Sequence, residues 1–192
     1  PVQGRILTAL KPWMDIDPEA HEWALDGCGV PTPRLPLREM ARAYARLVSS
    51  ARDGRPDAAA VVRAMTERPD LTSSPGRAPL VLMEATDGRL LAKEGAEGVL
   101  CLASIEDDWG MAVKVEDGGL RAVGPAVVAV LEEADMITKS ESRALEALQD
   151  YPIRNTLGAE VGRVRARVTA SEGIPGRTGG SERAAGGGEQ GP

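Results

Sequence analysis

Two short stretches of this chain place reactive side chains beside glycines, where a backbone or a ligand can approach closely. One is Lys93-Glu94-Gly95-Ala96-Glu97-Gly98, which sets a lysine at the C-terminal end of an expected strand. An amine there can meet a substrate or activate a nucleophile, and a solvent-facing lysine before a hairpin turn fits the same pattern. The other is Asp26-Gly27-Cys28-Gly29, where a thiol between two glycines is accessible to react or to bind metal. Read by itself, that stretch favours a packed free cysteine. Nineteen of the 23 basic residues are arginine and four are lysine, so a lysine inside a tight motif suggests an amine needed as such.

Other chemistries find little support. A single histidine, His21, leaves no material for Ser-His-Asp machinery or a multi-histidine metal centre. None of Lys11, Lys93, Lys114 and Lys139 has a serine three residues before it, so the Ser-x-x-Lys pair of lysine-activated serine nucleophiles is missing. The nearest approach, Thr8-x-x-Lys11, falls on the polar face of the first helix and reads as solvated. Ser73-Ser74 lies in a loop with no base in view. Cys101 belongs to the apolar run Val99–Ala103 and reads as core. Nothing in the pattern calls for a Cys28–Cys101 bridge.

The elements that must position these residues follow from periodicity. Val2, Ile6, Leu7, Leu10 and Met14 fall on one face of a helix over 2–14, and Asp17-Pro18 opens a short second one. The prolines at 31, 33 and 36 exclude helix there and leave Asp26 and Cys28 on a strand end or loop. Residues 37–50 form the clearest helix, with Leu37, Met40, Ala41, Tyr44, Leu47 and Val48 inward and Arg38, Glu39, Arg42, Arg46 and Ser49 outward. A helix over 57–68 turns Val61, Val62 and Met65 inward, 70–77 reads as loop, and 78–85 as a short helix. Three short runs, 89–93, 99–105 and 111–116, form a β-meander. Lys114 and Glu116 share one face of it and read as an exposed pair. Helices follow over 124–134 and, capped by Ser140, over 141–149. A last returning strand carries Arg163, Arg165 and Arg167 on one face, a strip that reads as a solvated edge or a phosphate contact. Helices, meander, helices and strand make an α+β layout.

The chain has 192 residues and a formal charge of −6, which argues against a general nucleic-acid binder. It lacks phenylalanine and has three Trp and two Tyr, too few for base-stacking platforms. No apolar run reaches membrane-spanning length, so a cytoplasmic protein is the expectation. Residues 171–192 contain 8 glycines and are expected to be a disordered tail behind one domain over 1–170. The chain opens at Pro1 without Met, which reads as a processed chain or a fragment.

Taken in order, Asp26-Gly27-Cys28-Gly29-Val30-Pro31-Thr32, Leu35-Pro36-Leu37, the Ala/Arg-rich helix and Lys93-Glu94-Gly95-Ala96-Glu97-Gly98-Val99 resemble the L-asparaginase II family. Lys114-Val115-Glu116-Asp117-Gly118, Asn155-Thr156-Leu157-Gly158 and Val161-Gly162 extend the resemblance to about Val168. The resemblance implies a fold like serine β-lactamases and glutaminases, an antiparallel sheet with flanking helices. It implies hydrolysis of L-asparagine to aspartate and ammonia by a lysine-activated serine. Lys93 matches the family's second catalytic lysine, with Gly95 completing its Lys-x-Gly strand. Asp26 matches an aspartate lining the site, and Cys28 a cysteine that helps hold zinc. The Ser-x-x-Lys motif, the second serine and the other zinc ligands of the family have no counterpart here. The expectation is therefore the C-terminal half of an asparaginase, inactive alone and homodimeric when complete. Two alternatives stand beside it: a non-catalytic binding domain that keeps this half-fold, and an amidase acting on glutamine or another amide.

Overall fold

The structure, a computed structural model, describes residues 2–169. The expected tail over 171–192 lies outside the described residues. Helix α1 (Val2–Leu10) leads through a 3-10 turn to the hairpin of β1 (Trp23–Leu25) and β2 (Pro31–Pro33). Helices α2 (Leu37–Arg52), α3 (Pro56–Glu67), α4 (Pro69–Thr72) and α5 (Ala78–Ala85) precede the meander of β3 (Leu90–Gly95), β4 (Val99–Ser104) and β5 (Gly110–Lys114). Then come α6 (Val123–Glu133), α7 (Lys139–Ala144) and α8 (Glu146–Gln149), and a final hairpin of β6 (Tyr151–Arg154) and β7 (Glu160–Val164). Helices with small antiparallel sheets make the fold α+β, as expected.

The meander is the centre. Its strands pair antiparallel in the order β3-β4-β5. The runs Leu90-Leu91-Ala92 and Leu100-Cys101-Leu102-Ala103 are buried on both faces, which explains why they are continuously apolar. Alternation sends Leu90, Ala92, Leu100 and Leu102 to one side, against Leu82 and Met83 of α5 and Val123, Val127, Val128 and Leu131 of α6. It sends Leu91 and Ala103 to the other, against Val48 of α2 and Val62 of α3. Each fully buried Leu or Val contributes about 1.5–3 kcal/mol, so these two layers dominate the stability.

Helix α2 sits so close to β5 that a Cβ on Gly110 would collide with the Ala41 carbonyl. Its C-terminal end is pinned by Arg52, which donates to the Ile105 and Glu106 carbonyls at 3.3 and 3.1 Å and pairs with Asp108. On the far side of the sheet Arg89 forks onto Glu141 at 2.9 Å and donates to the Met136 carbonyl. That pair fastens α7 against the start of β3.

Several expectations change. The polar face of α2 is covered in part: Glu39 is only 5% exposed, while Arg38 and Arg42 stay exposed. Its carboxylate accepts from the Asp15 amide and from Arg42, both at 2.9 Å, while Arg42 and Arg46 pair with Asp15. A polar stripe preceded in the chain by a segment carrying its counter-charges is a packing surface. Helix α1 buries none of its residues, with Val2 and Ile6 exposed. Val61 is exposed on α3, and residues 70–72 of the expected loop belong to α4. Thr138, not Ser140, caps α7, through a reciprocal capping box with Glu141, and the helix breaks at Leu145. The last strand does not return to the meander but pairs with β6, a strand hidden in the sequence by Pro152. Arg163 and Arg165 are held by Asp150. Lys114 makes no pair with Glu116; its amine donates to the Glu97 and Val115 carbonyls at 2.5 and 2.6 Å.

Two outcomes follow from this packing. Gly110→Ala should destabilise the protein by about 1–3 kcal/mol through forced separation of α2 and β5, read as a lower urea midpoint with unchanged slope. The second concerns Glu141: burial would raise its carboxyl, but the Thr138 amide, the Arg89 guanidinium and the Thr138 hydroxyl outweigh this and hold it below 4.5. A lowered folded value means its stabilisation is complete above the unfolded value and is lost as pH falls through the folded one. Thermal melts from about pH 6 to 3 should show a shallower acid loss in Glu141→Gln than in the wild type.

Candidate functional site

Lys93 lies within β3, exposed, with Cys101 as its cross-strand partner and Gly95 opposite Val99. Strand alternation puts Lys93 on the α2 side of the sheet, in line with Leu91, and Glu94 on the α5–α6 side. The Lys93 amine donates to the Glu94 carbonyl at 2.9 Å. Beyond Gly95 the chain reverses through Ala96, Glu97 and Gly98, with Glu97 at φ +60° and Gly98 at +67°. A side chain at Gly98 would meet Val115 and the Gly118 backbone. The amine of Lys114 ties the Glu97 carbonyl down. The Gly95–Gly98 half of the motif thus makes a tight, anchored turn, and Lys93 stands just ahead of it.

Behind Lys93, on the opposite face, is a polar group that periodicity did not reveal. Arg77 Nε donates to Glu94 Oε1 at 2.9 Å, and Ser73 Oγ donates to the same oxygen at 3.4 Å. The Glu94 side chain is 16% exposed and Ser73 is buried. Ser73, read from the sequence as a loop serine with no base in view, thus has a carboxylate within reach. Next to the group opens a cleft of about 180 Å³ lined by Arg77, Glu94, Arg121, Leu148 and Tyr151 among others. The only sequence signal was a carboxylate near the end of β3, beside Lys93.

Asp26 closes the β1–β2 hairpin. Its Oδ1 accepts from the Cys28 and Val30 amides at 2.8 and 2.9 Å, and its own amide donates to the Val30 carbonyl. This is an Asx turn, with the side chain standing in for a backbone acceptor. The strand after it tolerates Pro31 and Pro33 because the hydrogen-bonding positions fall on Thr32 and Arg34. Neither Asp26 nor Cys28 hydrogen-bonds to Lys93 among the described residues.

Both cysteines are free, Cys28 exposed and Cys101 buried. Burial pushes the Cys101 thiol up to about 11, and burial also raises the Tyr44 hydroxyl packed near it. Among the described residues no three His, Cys, Asp or Glu side chains gather into a metal-holding group. One thiolate falls short of the three or four protein ligands zinc takes, so these residues alone do not fit that ion. In a thiol-labelling time course Cys28 should react at once and Cys101 only on unfolding, giving one fast equivalent and one released by denaturant.

No helix among the described residues is long and apolar enough to cross a membrane. No curated protein matches the chain. A family model described as L-asparaginase II matches residues 1–166, a span that holds the Asp26 hairpin, the meander with Lys93 and the closing β6–β7 hairpin. The chain belongs to the L-asparaginase II family of asparaginase-type amidohydrolases, whose substrates are small-molecule amides.

Proposed function

We propose that this chain serves the hydrolysis of L-asparagine to L-aspartate and ammonia, with Lys93 as its catalytic amine. The observation that carries the reading is the family match across an exposed lysine held one residue ahead of a glycine turn. In the reaction a serine Oγ attacks the side-chain amide carbon, forming a C–O bond as the C–N bond breaks. The serine proton ends on the departing ammonia. Water then cleaves the ester and restores the serine. On this reading Lys93 passes protons between the nucleophile, the leaving group and water. Gly95 offers backbone that a substrate can approach, and Asp26 lines the same site.

The 192 residues contain no Ser-x-x-Lys, so the reading assigns the serine to sequence N-terminal to them. The chain by itself is then inactive, and the complete protein is a cytoplasmic homodimer. Coding DNA read upstream of Pro1 should stay in frame and encode Ser-x-x-Lys, and a stop codon directly before Pro1 would overturn the reading. In the complete protein, Lys93→Met should lower ammonia release from L-asparagine by about 10²–10⁴-fold. Asp26→Asn keeps the turn's acceptor oxygen, so a comparable loss there would reflect the removed charge. Equal rates on L-glutamine would reassign the substrate.

The same reading takes Cys28 as one thiolate of a zinc site completed from outside these residues. Elemental analysis of the purified complete protein should find zinc that Cys28→Ser loses.

A further inference from the structure

We infer that Arg77 is a positioning residue for Lys93, acting through Glu94 from the opposite face of the sheet. The inference rests on the reading of Lys93 as the working amine.

The geometry runs in one line. The Lys93 amine is held by the backbone carbonyl of Glu94 at 2.9 Å. The Glu94 carboxylate is held in turn by Arg77 Nε at 2.9 Å and by Ser73 Oγ at 3.4 Å. Arg77 occupies the position just before α5, and Ser73 the residue just after α4. The two side chains therefore anchor the end of β3 to two helix termini. Residues 90–92 need no such help, because they are fully buried between two apolar layers. Beyond Ala92 the apolar packing stops, and Lys93 and Gly95 are exposed. Glu94 is the last side chain of the strand tucked inward, and its charge requires a partner at that depth. A guanidinium whose Nε aims at one carboxylate oxygen fixes direction as well as distance. What it fixes is the peptide whose carbonyl the Lys93 amine occupies.

The consequence concerns the amine rather than the fold. With Arg77 in place, the Lys93 amine rests in a defined direction along the strand end. Without it, the 94–95 peptide is free to tilt and the amine leaves its carbonyl.

Lys93, Lys114 and Lys139 stand in well-separated stretches of sequence, so this is measurable on the complete protein without any turnover. Each is followed by competitive acetylation with limiting acetic anhydride and peptide mass spectrometry, with Lys139 and Lys114 as internal references. Arg77→Ala should raise the Lys93-to-Lys139 labelling ratio by about threefold, the order expected for losing one half-exposed ion pair. Lys114 relative to Lys139 should not change. Arg77→Lys, which keeps the cation but not the Nε direction, should restore the ratio in part. An unchanged Lys93 ratio in a folded Arg77→Ala protein overturns the inference, even if the melting temperature falls, because the pair is then merely structural. A parallel rise at Lys93 and Lys114 overturns it too, since that reports general loosening. If Arg77→Ala does not fold, Glu94→Gln is read by the same criteria. Loss of the asparagine reading would leave the labelling result standing, and an unchanged ratio would leave Lys93 free to be catalytic without this support.

Discussion

Two strands buried on both faces impose the architecture on everything around them. A sheet with one solvated face needs only one covering layer, but Leu90–Ala92 and Leu100–Ala103 offer water nothing on either side. Helices α2 and α3 must close one face and α5 and α6 the other. The short distance from α2 to β5 follows, and with it the glycine at 110 and the arginine clamp at 52. The Arg89–Glu141 fork does the same for α7. Polar contacts in this protein hold apolar layers in register and do not replace them.

The candidate site begins where that burial ends. Up to Ala92 the strand is held by apolar packing. From Lys93 onward it is held by turn geometry, by the Lys114 amine and by the Arg77–Glu94 pair. A reactive amine gains from this transition. It remains exposed while the peptide beneath it is fixed from behind, which separates accessibility from mobility. The Asp26 hairpin uses a different device, an aspartate folded onto its own backbone, and the exposed thiol of Cys28 is carried by that turn.

The family places these features in an asparaginase-type amidohydrolase. The two motifs that carried the resemblance have different physical contents. Half of the lysine motif is turn chemistry, required by positive φ at 97 and 98 and by the crowding of Gly98 against Val115. The aspartate of the cysteine motif is likewise a turn former. Lys93 is exposed with its amine on the Glu94 carbonyl, Gly95 is the exposed last residue of β3 and the Cys28 thiol is exposed; with Asp26, these are the residues to which the proposed chemistry assigns work.

Local pattern sufficed for the elements whose driving force is local. The stripe of Met40, Tyr44 and Val48 determined α2, two apolar runs and one alternating run bounded by turns determined the meander, and the glycines at 95 and 98 marked where β3 turns into β4. The aspartate ahead of Gly27 marked the hairpin turn. What depended on residues far apart in the chain was decided only by tertiary structure. Glu39 has the sequence signature of a solvated position, and is buried because Arg42 and the Asp15 amide meet it there. Pro152 hid β6 until β7 folded back to pair with it. Ser73 and Arg77 show nothing in the sequence, since a charge network has no periodicity and its partner Glu94 lies on another element. A single chain states which residues prefer burial, while which charges satisfy one another depends on how the packed layers bring them together.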